Sequence, residues 1–264
     1  MSTSLVAERA LARTYDSRAY ADTWSAVEDY RRVREHHQRH PDQGSSAVAS
    51  RLDLPRGRVR PWLDGSKPDP VRGLETARDY GWLECGYADP EFTPLNVLVA
   101  NVFSGGSITE RNYMPSFALH GTDSHVLTAL EDAGVDYQLV DDRDRRADEA
   151  RPTTDGPVLG RVLSVLGAPV GSKTEQHLSL PVYLESAPTD VRETFVAAYL
   201  ENRAVEHDGK ATLTIKEDRN RTYLEALADL IESVADGPVE LGEMNIVISA
   251  DAARSLDLRS PTAG

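Results

Sequence analysis

The sequence predicts an α+β protein in which an all-α region precedes a duplicated domain of helices and hairpins. Within residues 22–80, Pro and Gly breaks separate four short helical patterns. From residue 92, a helix, a hairpin, a helix, a hairpin and a helix follow one another, and the same order recurs from residue 188. A chain of 264 residues is long enough to give each region its own core.

Composition excludes several classes of protein. Hydrophobic residues make up 40% of the chain, which is enough for a packed core. Cys85 is the only cysteine, so the sequence excludes an internal disulfide and a multi-cysteine zinc site. No apolar run approaches the ~18 residues of a membrane span, and residues 1–20 lack a signal-peptide pattern. We therefore expect a cytoplasmic protein that has no membrane association and needs no cofactor or metal.

The net charge of −14 is unevenly distributed along the chain. Residues 1–90 contain 14 basic and 14 acidic residues, whereas residues 91–264 contain 15 and 29. Residues 31–60 contain eight arginines and three acids, so a basic island lies within the neutral first part. Only four of the 29 basic residues are lysines, and this acidic, lysine-poor composition resembles that of proteins from halophilic archaea.

The first 84 residues are predicted to form a leader and a helical domain. Residues 1–20 are polar, which favours a flexible leader, and the domain then spans residues 21–84. Ser45 or Ser46 is expected to cap the second helix. Pro61 should bend or shorten the third helix, because proline removes one backbone hydrogen bond. The predicted helices cover about 22–40, 45–52, 56–63 and 71–80.

Residues 44–65 have the pattern of two short helices packed across a tight turn. The apolar positions that would pack are Val48, Ala49, Leu52, Leu54, Val59, Trp62 and Leu63. This segment resembles the helix-turn-helix of small transcription regulators. The resemblance implies that the front of the second helix enters the major groove, with double-stranded DNA as the partner.

Basic side chains occupy the positions that would contact DNA. Arg56, Arg58 and Arg60 alternate along the start of the second helix, and an arginine that binds guanine bidentately gives roughly 1–3 kcal/mol of discrimination. Residues 56 and 60 share a helix face, so we expect at least one of the three arginines to contact the phosphate backbone instead. The predicted DNA-binding residues are Ser45, Ser46, Arg56, Arg58, Arg60 and Lys67.

The duplicated domain is predicted over residues 92–258, with repeats at about 92–186 and 187–258. Thr93 and Pro94 have the pattern of a helix start, Thr as the cap and Pro in the first turn. The further elements of the first repeat are a hairpin over 107–119, a helix over 123–133, a strand over 136–142, a charged loop over 143–150, a short strand over 151–154 and a helix over 157–166. Those of the second are a helix from 188 to 202, a hairpin over 204–216 turning at residues 208–209, a helix over 221–235, two strands over 239–249 and a helix over 250–256.

Two helical segments in this domain, residues 98–106 and 196–204, lie 98 residues apart. Together with the order of elements around them, they resemble the two motifs of the LAGLIDADG homing endonuclease family. The resemblance covers about residues 95–256. It implies two αββαββα halves related by a pseudo-twofold axis, with the motif helices packed at the centre and the sheets forming a saddle on DNA.

The resemblance fails at the positions that carry catalysis. In active members of the family, the penultimate acid of each motif binds the metal ions that activate water. Here those positions hold Gly105, which has no ligand atom, and Arg203, whose charge repels a cation. We therefore predict a catalytically inactive domain. The alternative is a relocated metal site that uses Glu201, Glu110 or Asp208.

These observations favour a sequence-specific DNA-binding protein, most simply a transcriptional regulator, that is not an enzyme. Three alternatives stay open: a catalytically active homing endonuclease, an RNA-splicing cofactor and a module that binds only protein. The sequence is compatible with a homodimer. His36 and His40 have a spacing that suits a metal ion, but no acid or cysteine accompanies them, so we interpret them as part of a solvated basic face.

Overall fold

The computed structural model of the chain describes residues 4–120, 124–140, 148–207 and 210–257. The predicted turn at residues 208–209, the start of the helix at residue 123 and most of the charged loop at 143–150 lie outside these ranges. Two compact units are present, one from Val6 to Glu84 and the other from Cys85 to Gly264 together with Met1–Leu5. Across the described ranges, no helix combines the length and the apolarity that a membrane span requires.

The first unit, which we call the helical unit, is all-α. Its core contains Val33, Val48, Val59 and Leu74, and Trp62 packs edge-on against Tyr30 with ring centroids 5.7 Å apart. Its helices are α1 (Glu8–Ala12), α2 (Trp24–Arg39), α3 (Ser45–Leu52), α4 (Arg56–Leu63) and α5 (Asp69–Asp79).

The segment before α2 differs from the flexible leader that its polar composition suggested. Val6, Leu11 and Ala12 are fully buried, and the buried hydroxyl of Thr23 donates to the Ala12 carbonyl over 2.7 Å. Because α1 spans five residues, it is too short to show a helical repeat in the sequence. In the sequence its apolar residues are interspersed with charged ones and give no helical pattern. They form one buried group only in the folded protein.

Helices α3 and α4 are joined by a tight turn at residues 53–55. Asp53 has φ 55° and ψ 47°, a left-handed conformation that aspartate adopts more readily than most side chains. The Leu54 N–H then donates to the Ala49 carbonyl over 3.0 Å. Gly44, and neither predicted serine, is the N-cap of α3, and α4 continues through Pro61 to its end at Leu63.

The second unit, which we call the duplicated unit, is mixed α and β. Its first part consists of α6 (Phe92–Ser104), β1 (Ser107–Ile108), β2 (Pro115–Ala118), α7 (His125–Asp132), β3 (Tyr137–Val140), β4 (Glu149–Pro152) and α8 (Gly156–Val165). The four strands form an antiparallel sheet in the order β1-β2-β4-β3, with Phe117 and Leu139 both paired to Ala150.

After a short 3₁₀ helix at Val182–Glu185, the same succession returns. Its elements are α9 (Thr189–Arg203), β5 (Ala204–His207), β6 (Lys210–Lys216), α10 (Arg221–Glu232), β7 (Val239–Leu241), β8 (Asn245–Ile248) and α11 (Ala250–Asp257). The second antiparallel sheet has the order β5-β6-β8-β7, which matches the first sheet strand for strand. Sequence patterning thus correctly indicated two helix-and-hairpin successions.

Helix α6 packs against α9 and forms the centre of the duplicated unit. Every residue from 94 to 104 is buried, so α6 has no solvent-facing side after its first turn. The helix begins at Phe92 rather than at a Thr93 cap, and Thr93 is exposed. The buried amide of Asn96 donates to the Val191 carbonyl over 2.8 Å and accepts from Tyr183 Oη over 2.6 Å, which satisfies a polar group inside an apolar helix pair.

Candidate nucleic-acid interface

The six residues predicted to contact DNA all belong to the helical unit. Ser45 and Ser46 lie in the first turn of α3, the three arginines lie on α4, and Lys67 lies in the loop before α5. Ser46, Arg56, Arg60 and Lys67 are exposed, whereas Ser45 and Arg58 are half-buried.

Arg56 and Arg60 are the two arginines of α4 that remain available to a ligand. Arg56 Nε donates to Ser45 Oγ over 3.4 Å, which places the starts of α3 and α4 side by side. Arg60 Nε lies 3.7 Å from Asp64 Oδ2, and both side chains are 69% exposed. Exposed ion pairs of this kind contribute only about 0–1 kcal/mol, so Arg60 can exchange Asp64 for another anion.

Arg58 has an intramolecular partner, Tyr20, that no local sequence pattern indicates. Its guanidinium carbon lies 4.2 Å from the centroid of the Tyr20 ring, and Tyr20 Oη donates to Asp29 Oδ2 over 2.8 Å. Burial and this hydrogen bond raise the pKa of Tyr20 to about 12. Arg58 therefore holds the segment before α2 onto α4. Its predicted contact with DNA stays a prediction.

Lys67 and the histidines of α2 also have partners inside the unit. Lys67 Nζ lies 2.7 Å from Glu75 Oε2, and this contact raises the pKa of Lys67. The rings of His36 and His40 lie 4.7 Å apart, and His36 Nε2 is 2.9 Å from Gln43 Oε1. No group of three metal-ligating side chains is present in the described part of the chain.

Gly105 and Arg203, the positions that lack the expected acids, lie at the C-terminal ends of α6 and α9. A Cβ on Gly105 would lie 2.6 Å from Ala118 Cβ and 3.6 Å from Asn202 Cγ. Asn202 Nδ2 donates to Ser104 Oγ over 3.1 Å, so the two helix ends are in contact. Position 105 thus has no space for a side chain of any kind, and a carboxylate could not be accommodated without rearrangement.

Arg203 is paired with a buried carboxylate. Its Nε lies 3.1 Å from Glu217 Oε1, and Arg219 Nε lies 3.3 Å from Glu217 Oε2. The Glu217 side chain is 1% exposed, and it also accepts a hydrogen bond from the Tyr199 hydroxyl. Arg203 is one-third exposed and Arg219 is nine-tenths buried.

Lys173 completes this group of charges. Its ammonium donates to the carbonyls of Val102, Phe103 and Gly106 at 2.7, 3.3 and 2.8 Å, so all three N–H groups close the C-terminal end of α6. Burial, with repulsion from Arg203 and Arg219, lowers the pKa of Lys173 to about 8. We call Lys173, Arg203, Arg219 and Glu217 the basic cluster.

Arg203 stands out in the sequence as a changed motif position, whereas Lys173, Arg219 and Glu217 do not stand out as candidate site residues. Lys173 lies 71 residues from Val102, and Arg219 Nη1 contacts the Lys173 carbonyl at 3.4 Å across 46 residues. The one signal in the sequence is composition, because Lys173 is one of four lysines in an arginine-rich chain. Only the fold shows that these residues meet.

Glu201, the first candidate for a relocated metal ligand, has a different partner. Its two carboxylate oxygens each accept from the His125 N–H over 3.3 Å, and Oε2 also lies 3.2 Å from His125 Nδ1. Burial opposes ionisation of Glu201, but hydrogen bonding to His125 outweighs it and lowers the pKa. Glu201 therefore caps α7. Glu110 is exposed in the β1–β2 connection, and Asp208 lies outside the described residues.

Comparisons with known proteins found no matching family model and no matching curated protein. Among solved structures, the homing endonuclease I-WcaI bound to its DNA recognition sequence matches with a TM-score of 0.45 and 12% identity, over 75% of this chain and 90% of that chain. I-DmoI in complex with DNA and Mn matches with a TM-score of 0.42 and 10% identity, over 66% and 99% of the two chains.

Full-length DUF199/WhiA from Thermatoga maritima matches with a TM-score of 0.43 and 9% identity, over 69% of this chain. The match spans 60% of that protein, which is less than two thirds of its length. Because all three TM-scores are below 0.5, the function of this chain has to be inferred from its own residues.

Proposed function

We propose that this protein binds double-stranded DNA at a specific sequence through a helix-turn-helix formed by α3 and α4, and that it acts as a transcriptional regulator. The observation that carries the proposal is the exposure of Arg56 in the first turn of α4, beside Ser45 of α3, and of Arg60 one turn further along the same face. Residues at the front of the second helix are the ones that reach base edges in the major groove.

Helix α3 supports the proposal through its free N-terminus. Gly44 is the N-cap and provides no side chain, so no side-chain oxygen occupies the N–H groups of the first turn. Such groups bind phosphate well, and Ser45 and Ser46 add hydroxyl donors beside them. In this arrangement α3 contacts the backbone and fixes the register, while Arg56 and Arg60 read bases.

We also propose that the duplicated unit is an inactive LAGLIDADG-like domain. Gly105 leaves no space for a metal ligand, Arg203 is paired with Glu217, and Glu201 caps α7. Neither motif position therefore offers a ligand, and the carboxylates of Glu217 and Glu201 already have partners.

The DNA-binding proposal is tested by charge reversal of the two exposed arginines of α4. A pool of random duplexes is first selected for binding, and the affinity of the selected duplex is then measured by gel shift for the wild type and for Arg56→Glu/Arg60→Glu. Loss of two bidentate contacts, each about 1–3 kcal/mol, predicts at least roughly a 30-fold loss of affinity. Arg72→Glu on α5 is the matched control, because Arg72 is equally exposed and pairs with Asp69.

A variant that binds as tightly as the wild type overturns the proposed interface. Structured RNA is included as a competitor, because stronger competition by RNA than by duplex would favour the splicing-cofactor alternative. The inactive-domain proposal has its own assay. We expect no cleavage of the selected duplex with Mg²⁺ or Mn²⁺, and cleavage that disappears in Glu201→Gln would contradict it.

A further inference from the structure

We propose that the basic cluster at the ends of α6 and α9 is a binding site for a phosphate group, held by the guanidinium of Arg203 with Arg219 behind it. The inference deepens the proposed function and depends on it for one of two ligand sources, the phosphodiester backbone of DNA. The other source is free inorganic phosphate, which the same chemistry would recognise.

The basic cluster carries more positive than negative charge. The basic cluster contains three cations, and among the described residues Glu217 is the one carboxylate within ion-pair distance of them. A surplus of two positive charges therefore lies in a partly buried site, although residues 91–264 as a whole are acidic. Charges that are partly desolvated and incompletely paired are unfavourable, so an anion that entered this site would be stabilised.

The hydrogen bonding of the basic cluster is incomplete. Glu217 is close to both guanidinium groups, but the buried Nε atoms of Arg203 and Arg219 lack a hydrogen-bond partner among the described residues. Their contacts with Glu217 thus have the distance of an ion pair without the alignment of a hydrogen bond. Buried donors in this state are rare, and a ligand that realigned the guanidinium groups would satisfy them.

Access and geometry point to Arg203 as the contacting residue. Its side chain is one-third exposed, whereas Arg219 is nine-tenths buried. All three N–H groups of Lys173 already donate to carbonyls. A guanidinium presents its N–H groups as a planar fork that fits two oxygens of a phosphate. Lys173 has a supporting role, because the carbonyls at a helix C-terminus repel anions and its ammonium offsets that repulsion at α6.

The first experiment measures the melting temperature in potassium phosphate against potassium chloride of equal ionic strength, at pH 7, with the full chain. We expect phosphate to raise the Tm of the wild type by about 2–4 °C, as a ligand at several times its Kd would. Arg203→Gln should abolish the increase and Arg203→Lys should retain part of it. Arg221→Gln is the control, because Arg221 is exposed on α10 and pairs with Glu225. Near-UV circular dichroism verifies that each variant is folded.

The second experiment measures affinity for the selected duplex as a function of salt. If the ligand is a DNA phosphate, Arg203→Gln should reduce the slope of log affinity against log salt by about one, and Arg221→Gln should leave it unchanged. A phosphate-dependent Tm with an unchanged slope supports the site and assigns it to free phosphate. If the protein binds no duplex, the proposed function is contradicted. The comparison of Tm in phosphate and chloride then still tests the phosphate site. A Tm that responds equally to both salts, or equally in wild type and Arg203→Gln, overturns the phosphate site.

Discussion

The helical unit and the duplicated unit use arginine in opposite ways. On α4, Arg60 is 69% exposed and pairs with an equally exposed Asp64, an interaction that is easily exchanged for another anion. In the duplicated unit, Arg203 and Arg219 enclose Glu217, whose side chain is 1% exposed. Exposed arginines are free to serve recognition, whereas the nine-tenths buried Arg219 is tied to the stability of the fold. Arg203, one-third exposed, combines both roles. A count of charges along the chain cannot distinguish these roles.

The largest effect is expected from removing the buried carboxylate. Glu217→Gln leaves two guanidinium groups without their counter-charge and should reduce the free energy of unfolding by about 3–5 kcal/mol. Urea denaturation measures this value. Glu225→Gln, which breaks the exposed pair with Arg221, is the control and should change it by about 0–1 kcal/mol. Equal effects of the two substitutions would contradict the distinction between buried and exposed pairs.

A smaller loss is expected where the central helices end. Gly105→Ala forces a Cβ to within 2.6 Å of Ala118 Cβ and should destabilise the protein by about 1–3 kcal/mol. Gly57→Ala is the matched glycine control, because a Cβ at this position in α4 meets no atom within 4 Å. Alanine there should stabilise the protein by roughly 0.5–1 kcal/mol. If Gly105→Ala is neutral in urea denaturation, the helix ends are less closely packed than the structure indicates.

The stack of Arg58 on Tyr20 predicts an effect on stability that is separable from DNA binding. A double-mutant cycle with Arg58→Gln and Tyr20→Leu should give a coupling energy of about 0.5–1 kcal/mol, the range of a partly exposed cation–π contact. Arg58→Gln should weaken duplex binding much less than Arg56→Gln. A coupling energy near zero, with a large loss of DNA affinity, would instead make Arg58 a DNA contact.

The smallest effect concerns pH. Contact with Glu201 raises the pKa of His125, so the stability from this histidine is present below about pH 6.5 and is lost as pH rises through the folded-state pKa. The pKa of Glu201 is lowered, so its contribution is present above about pH 4.3 and is lost as pH falls through the folded-state value. The pair should therefore stabilise the fold most between these limits. A Tm profile of Glu201→Gln that matches the wild type from pH 4 to 8 would contradict this.

Local signals in the sequence were sufficient for the helices and strands that follow the five-residue α1, which they did not reveal. The bounds of α3 and α4 agree with the predicted 45–52 and 56–63, because Pro and Gly mark where each helix begins or ends. Capping was harder to predict, since Ser45 is a good N-cap by residue type but Gly44 already has the extended backbone of that position. The contacts of the basic cluster and of Arg58 with Tyr20 depend on segments far apart in the chain. No local pattern encodes them.

The most direct test of the proposed interface compares how substitutions in each of the two units change the preference for the selected duplex. The affinities of the wild type, Arg56→Gln/Arg60→Gln and Arg203→Gln are determined for the selected duplex and for a scrambled duplex at the same salt concentration. We expect the α4 variant to reduce the ratio of the two affinities by at least about tenfold, because it loses contacts to base edges. Arg203→Gln should lower both affinities equally and leave the ratio unchanged. An α4 variant that retains the wild-type ratio would contradict sequence recognition by this helix.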